Sequence, residues 1–172
     1  MTSKLRTLIL LLRRDLRLHD NPLFHTLAQT SHTHLLPLYV FNPAHIEVSG
    51  FLAPAEFTSP YAECRSRVGG FWRCGPHRAT FIAEAVWDLK TSLKKLGCNL
   101  VLRVGQPDEV VSAVIQRLQH EDEDVVGVWM AEAVGSEERK EENGVRVAAE
   151  KLGVSFRSFE DGGYLYKLYV PA

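Results

Sequence analysis

Five consecutive aliphatic residues, Leu8-Ile9-Leu10-Leu11-Leu12, restrict the possible folds of this chain more than any other feature. A strand exposed on one face alternates apolar and polar side chains. A strand with no polar position has to be buried on both faces, as a central strand of a parallel sheet is. The run falls far short of the roughly 18 apolar residues of a membrane-spanning helix, and no other run reaches that length. Lys4 and Arg6 precede it, yet it is too short for the core of a secretion signal and no small-residue cleavage site follows.

Further strands alternate with helix-period segments. Leu35 to Phe41 reads as a second strand whose Pro37 marks an irregular start. Asn99 to Val104, Val125 to Met130 and Val154 to Phe159 read as the third, fourth and fifth. Asn21-Pro22 opens a helix, because Asn caps well and Pro lacks only an N–H that would be unpaired there anyway. Phe81, Ile82, Val86, Leu89, Leu93 and Leu96 recur at helical steps until Gly97. Pro107-Asp108-Glu109 starts another helix, with acids where the dipole favours them, and Val110, Val111, Val114, Ile115 and Leu118 form its stripe. Gln119 to Asp124 is a solvated acidic turn, and the charged helix Ser136 to Leu152 packs through Val145, Ala148, Ala149 and Leu152. Trp87, on the flank of its helix, and Trp129, in a strand, are expected in or near the core. Residues 42 to about 76 form a long irregular stretch of the kind that is often functional.

This order predicts an α/β fold: a Rossmann-like open five-stranded parallel sheet with Leu8–Leu12 central and helices on both faces. Ligands of such sheets sit beyond the carboxyl ends of the strands, where the strand order reverses. The loops to watch are therefore Arg13–Asn21, the segment after Phe41, Gly105–Pro107 and Ala131–Ser136.

Composition narrows the function. The 172 residues are 45% hydrophobic, enough for one domain with a real core. A net charge of −1 supplies no global field toward DNA or anionic lipid. Cys64, Cys74 and Cys98 are odd in number and lack C-x-x-C spacing, so they read as reduced thiols of an intracellular protein, in no particular compartment. No G-x-G-x-x-G, P-loop or G-x-S-x-G motif is present. His32 and His34 sit in a polar loop without a third ligand nearby, so no metal site is expected. Arg65, Arg67, Arg73, His77 and Arg78 surround Phe71 and Trp72, a mixture that can bind single strands by charge and stacking. A solvated, poorly ordered loop is the simpler reading of that cluster.

The most informative string runs from Leu12 to Leu23: Leu-Arg-Arg-Asp-Leu-Arg-Leu-His-Asp-Asn-Pro-Leu. Arg14, Asp15, Arg17 and Asp20 either rigidify the first strand-to-helix loop as a charge network or touch a ligand; the network is the simpler account. The string resembles the R-x-D-L-R-x-x-D-N-P-L signature that opens the DNA photolyase and cryptochrome family. Leu38-Tyr39-Val40-Phe41 is similar to the second strand of that family. Gly75 to Phe81, with Glu84 and Asp88-Leu89, resembles its next long helix, and Leu100 to Glu109 resembles the strand and turn that follow. The spacing of Ser136-Glu137-Glu138 after the fourth strand is closest to cryptochrome DASH, and the resemblance covers roughly residues 6 to 167.

The resemblance implies an N-terminal antenna domain, residues 1–167, that holds a light-harvesting chromophore. In DASH proteins this is usually a methenyl-folate, 5,10-methenyltetrahydrofolate, which passes excitation to a flavin. FAD and the pocket for damaged single- or double-stranded DNA belong to a helical domain. Gly162 to Lys167 resembles the G-x-x-x-Y-x run of the family; residues 168–172 fall where its acidic linker to that domain starts, are expected to be the truncated start of that linker, and depart from it in sequence. The expectation is an antenna domain without its own FAD, its own catalysis or a membrane association. Folate-binding relatives carry a Glu on the loop after the fourth strand. Here Ala133 takes that position, with Glu132 one residue away and pointing elsewhere, which implies weak folate binding. The resemblance thus marks Arg14, Asp15, Glu132 and Ala133 as the antenna-loop residues. The alternative is a chromophore-free scaffold or interaction module retaining the fold. A general nucleotide-binding protein is disfavoured by the missing phosphate-loop glycines.

Overall fold

The computed structural model describes residues 4–48, 59–132 and 134–160, so Ala133 and the run from Gly162 onward lie outside the described residues. The elements are β1 (Arg6–Leu12), α1 (Pro22–Thr26) with a 3-10 turn (Leu27–Gln29), β2 (His34–Phe41), α2 (Pro76–Lys95), β3 (Val101–Val104), α3 (Pro107–His120), β4 (Asp124–Ala131), α4 (Ser136–Lys151) and β5 (Phe156–Phe159).

The five strands form one sheet in the order β3-β2-β1-β4-β5, and every pairing is parallel. β1 is central, as its apolar run requires. Leu8, Leu10 and Leu12 enter the core that Val86, Leu89 and Leu93 of α2 cover. Ile9 and Leu11 enter the opposite core with Val111 and Ile115 of α3 and Val145 and Ala149 of α4. Each such buried aliphatic side chain stabilises the fold by about 1.5–3 kcal/mol relative to exposure. The edge strands carry the polar residues Arg103, Arg157 and Ser158. Pro37 is tolerated inside β2 because β3 joins the ladder only from Leu38 onward, so β2 is still an edge at that point. Asn21 caps α1 as expected, its Oδ1 accepting from the Leu23 N–H at 2.9 Å, with Pro22 in the first turn.

Three expectations for α2 and one for the loop before it need correction. Trp87 is not in the core but 63% exposed, and Phe81 and Leu96 are also largely exposed. One residue is about 100° of helix rotation, so Trp87 turns away from the sheet that the preceding Val86 faces, and Phe81 likewise diverges from Ile82. Leu96 caps the helix beyond its last turn. Trp129, by contrast, is buried, its ring centroid 4.8 Å from that of Phe159. Residues 64–73 are not an unstructured loop. Arg65 and Trp72 form an antiparallel bridge, the Ser66 N–H donates to the Phe71 carbonyl at 2.8 Å, and the Arg65 guanidinium lies 3.9 Å from the Trp72 ring centroid. No helix among the described residues is long and apolar enough to cross a membrane.

Candidate functional site

The chain lays down β1, β2 and β3 in one direction and then returns to the other side of β1 for β4 and β5. The order therefore reverses between β1 and β4, where crossover loops diverge and leave a crevice at the carboxyl ends of the strands. A cleft of about 550 Å³ lies there. Arg13 to Leu16 close one side, Glu132, Val134 and Gly135 another, and Phe81, Ile82 and Ala85 of α2 a third. Asn42, His45 and Ile46, after β2, complete it.

A largely buried polar knot forms one end of this cleft. Arg13, the first residue beyond the central strand, is only 15% exposed and Glu141 of α4 only 14%. The Arg13 guanidinium donates to the Ala131 carbonyl at 2.6 Å, to the Glu138 carbonyl at 3.2 Å and to Glu141 Oε1 at 3.3 Å. It thereby ties the ends of β1 and β4 to α4. Asn42 Nδ2 donates to the other Glu141 oxygen at 2.7 Å, and His45 Nε2 approaches that oxygen at 3.5 Å. Asn42 also shapes its own turn: its Oδ1 accepts from the Ala44 N–H at 2.8 Å and its carbonyl from the His45 N–H at 2.9 Å. Burial pushes the Glu141 carboxyl up, but hydrogen bonding from His45 and Asn42 and the charge of Arg13 outweigh it and hold the group below its ordinary value. Burial, with Glu141 beside it, pushes the Tyr39 phenol up to about 12, so this cleft residue stays protonated.

One glycine has a backbone reason at the site. Gly105, whose N–H donates to the Phe41 carbonyl at 3.2 Å, has φ +148°, a conformation that side chains rarely adopt, and a Cβ there would crowd Val110 at 3.0 Å.

All three described antenna-loop candidates, Arg14, Asp15 and Glu132, border the cleft, but their environments differ. The Arg14 side chain is 72% exposed and pairs with Glu138, whereas Asp15 is 11% exposed and sits 3.0 Å from Arg17 Nε. Glu132 is exposed, and its N–H donates to the Phe159 carbonyl at 2.7 Å, extending the ladder past β4. Sequence reasoning missed Arg13, Asn42, His45 and Glu141, and it assigned Phe81 to the core rather than to the cleft wall. One signal was available: Glu138, Glu141 and Glu142 fall on one face of α4 at helical spacing, an acidic stripe that needs a cation opposite it. We expect Asp15→Ala to lower stability by about 1–3 kcal/mol, between the limits for exposed and buried pairs, and Arg14→Ala by under about 1. Thermal melts of both variants check this. An unchanged Asp15→Ala melt with lost chromophore binding would assign Asp15 to the ligand instead.

Comparison with known proteins agrees with this architecture. The family model described as DNA photolyase matches residues 8–168. A cryptochrome DASH of Gibberella zeae is 41% identical over 92% of this chain and 23% of its own length. A cryptochrome DASH of Neurospora crassa, described as mitochondrial, is 43% identical over 93% of this chain and 22% of its own. Among solved structures, the cryptochrome of Synechocystis sp. PCC6803 superposes with a TM-score of 0.74 at 21% identity, covering 93% of this chain and 28% of that one. The archaeal photolyase of Sulfolobus tokodaii, described with two FAD molecules and as implying a novel light-harvesting cofactor, superposes with a TM-score of 0.65 at 19% identity, over 90% and 29%. The chain thus spans about a quarter of the length of these relatives. With the signature loop after β1 and the apolar run of the central strand both inside the span that the family model matches, this chain belongs to the DNA photolyase and cryptochrome family, corresponds to its N-terminal α/β region, and has cryptochrome DASH proteins among its relatives.

Proposed function

We propose that the cleft between β1 and β4 holds an antenna chromophore, and that these residues serve as the light-harvesting domain of a cryptochrome DASH-type blue-light photoreceptor. The observation that carries this reading is the cleft itself, at the strand-order reversal of the sheet. Its volume of about 550 Å³ falls within the roughly 300–1,000 Å³ typical of small-molecule sites. Its lining suits a planar heteroaromatic ring: Phe81, Ile82 and Ile46 offer apolar surface, while Glu132, Glu138 and Tyr39 offer polar atoms at the edges. A bound methenyl-folate or flavin would supply absorption in the near-ultraviolet to blue. Arg13 and Glu141 would keep the walls in register.

FAD-dependent photochemistry and recognition of damaged DNA, in this reading, belong to a part of the relatives beyond the quarter that this chain matches. The chromophore-free scaffold is the second reading, and absorbance separates the two. A domain that retains chromophore shows a band above the aromatic region; a scaffold shows none under any ligand tested.

For methenyl-folate, binding is expected to be weak. Position 133 is Ala, and the loop offers no carboxylate there to accept from the amino and ring N–H groups of the pterin. A charge-assisted hydrogen bond contributes about 1.5–3 kcal/mol, or roughly one to two decades of affinity. Fluorescence titration should therefore show Ala133→Glu binding about 10–100-fold more tightly than the unaltered chain. Submicromolar affinity in the unaltered chain would show that no acceptor at 133 is needed.

A further inference from the structure

A second cavity, of about 640 Å³, lies beside the first, and Asn42, His45, Pro107 and Glu141 line both. Its character is different. Where the first presents aromatic and aliphatic surface, the second is walled by Arg65, Arg67, Arg73 and Lys140, against Asp108, Glu137 and Glu141. Most of these charges are already engaged. Glu141 is bound by Arg13 and Asn42, Glu137 pairs with Arg73, and Arg65 pairs with Glu63 while stacked on Trp72. Among the described residues, Arg67 and Lys140 have no ion-pair partner, and both are exposed, one from the 64–73 turn and one from α4. Two uncommitted cations, against the single uncommitted carboxylate among its described lining residues, Asp108, thus face a cavity that adjoins the first cleft across a wall of four shared side chains and leave it with net positive charge.

We propose that this second cavity is a subsite for the anionic tail of the chromophore, with Arg67 and Lys140 as its affinity-determining residues. The inference rests on the antenna reading of the first cleft and adds the residues of this chain that take the charged end of such a ligand, in a cavity separate from the one that takes its ring. The apolar cleft takes the ring, and the cationic cavity takes the charge. Lys suits a carboxylate or phosphate as a mobile point charge, and Arg adds a two-pronged donor. Holding both ends in one molecule raises affinity, because the second contact is made at the effective concentration set by the linkage.

The test is a fluorescence titration of the unaltered chain with two matched pairs of probes. One pair is 5,10-methenyltetrahydrofolate with one and with five glutamates; the other is riboflavin and flavin mononucleotide. Two exposed pairs contribute up to about 1 kcal/mol each, so the longer-tailed or phosphorylated member should bind up to about 10- to 30-fold more tightly at low salt. That advantage should shrink above about 0.1 M salt, where the screening length falls to about 10 Å. It should vanish in the Arg67→Glu/Lys140→Glu variant, whose exposed sites leave the core and the apolar cleft intact. A gain confined to the folate pair identifies carboxylates as the tail, and one confined to the flavin pair identifies phosphate. Equal affinity within both pairs, or a gain that survives the charge reversal, overturns the tail subsite while leaving the antenna reading standing. Failure of all four probes to bind overturns both.

Discussion

Replacing Arg13 with Ala is expected to destabilise the domain by about 3–5 kcal/mol, the range for removing one partner of a buried ion pair. For a domain of this size that is a fall in melting temperature of about 6–20 °C. Three groups lose their donor together: the Ala131 carbonyl at the end of β4, the Glu138 carbonyl in the first turn of α4, and the Glu141 carboxylate. The Glu138 carbonyl still takes part in the helical ladder of α4, and Glu141 keeps Asn42 and His45, which soften the loss without replacing the charge. Arg13→Lys should fall between, since a single ammonium cannot reach carbonyls and carboxylate in the same fork.

The effect has a pH signature. The Glu141 carboxyl is held below its ordinary 4.5 in the folded protein. Its ionisation therefore adds stability that is fully present above about pH 4.5 and is lost as pH falls through the folded value. The penalty of Arg13→Ala should accordingly be largest at neutral pH and smaller toward pH 3, as Glu141 takes up a proton. Denaturant melts at the two pH values check this. A midpoint for Arg13→Ala matching that of the parent at pH 7 would remove Arg13 from the stability of the site.

Leu10→Ala carries the other large effect, about 2–5 kcal/mol. Leu10 is completely buried at the middle of the central strand, opposite Pro37 of β2 and Trp129 of β4. Strands on both sides hold its backbone, so the surroundings have little freedom to collapse into the space left behind. Trp87→Ala removes a far larger side chain, yet it should change stability by no more than about 0.5 kcal/mol, because the indole lies mostly in solvent. Parallel urea denaturations decide the point. A larger loss for Trp87→Ala than for Leu10→Ala would contradict the orientation of α2.

Periodicity by itself makes the elements of this chain readable. The unbroken apolar β1 could be satisfied only between two neighbours and under two helical layers, and that is where it lies. The Asn21-Pro22 start of α1 was legible because capping is settled within a few residues. So was the location of the cleft, since alternating strands and helices imply a strand-order reversal and β1 is the natural place for it. Local pattern could not say how far α2 overhangs the sheet. The stripe from Phe81 to Leu96 therefore read as uniformly buried, while Phe81 was left to line the cleft and Leu96 to meet solvent. Nor could it say which of many charges meet. The signature opens with Arg13, yet nothing in it singles out that residue from Arg14 and Asp15: Arg13 binds the ends of β1, β4 and α4 together because its carboxylate partner Glu141 lies 128 positions along the chain. A burial pattern repeats with the period of its own helix or strand and is written in adjacent residues. An ion pair across a crevice depends on strand order and helix placement, which exist only once the whole sheet has formed.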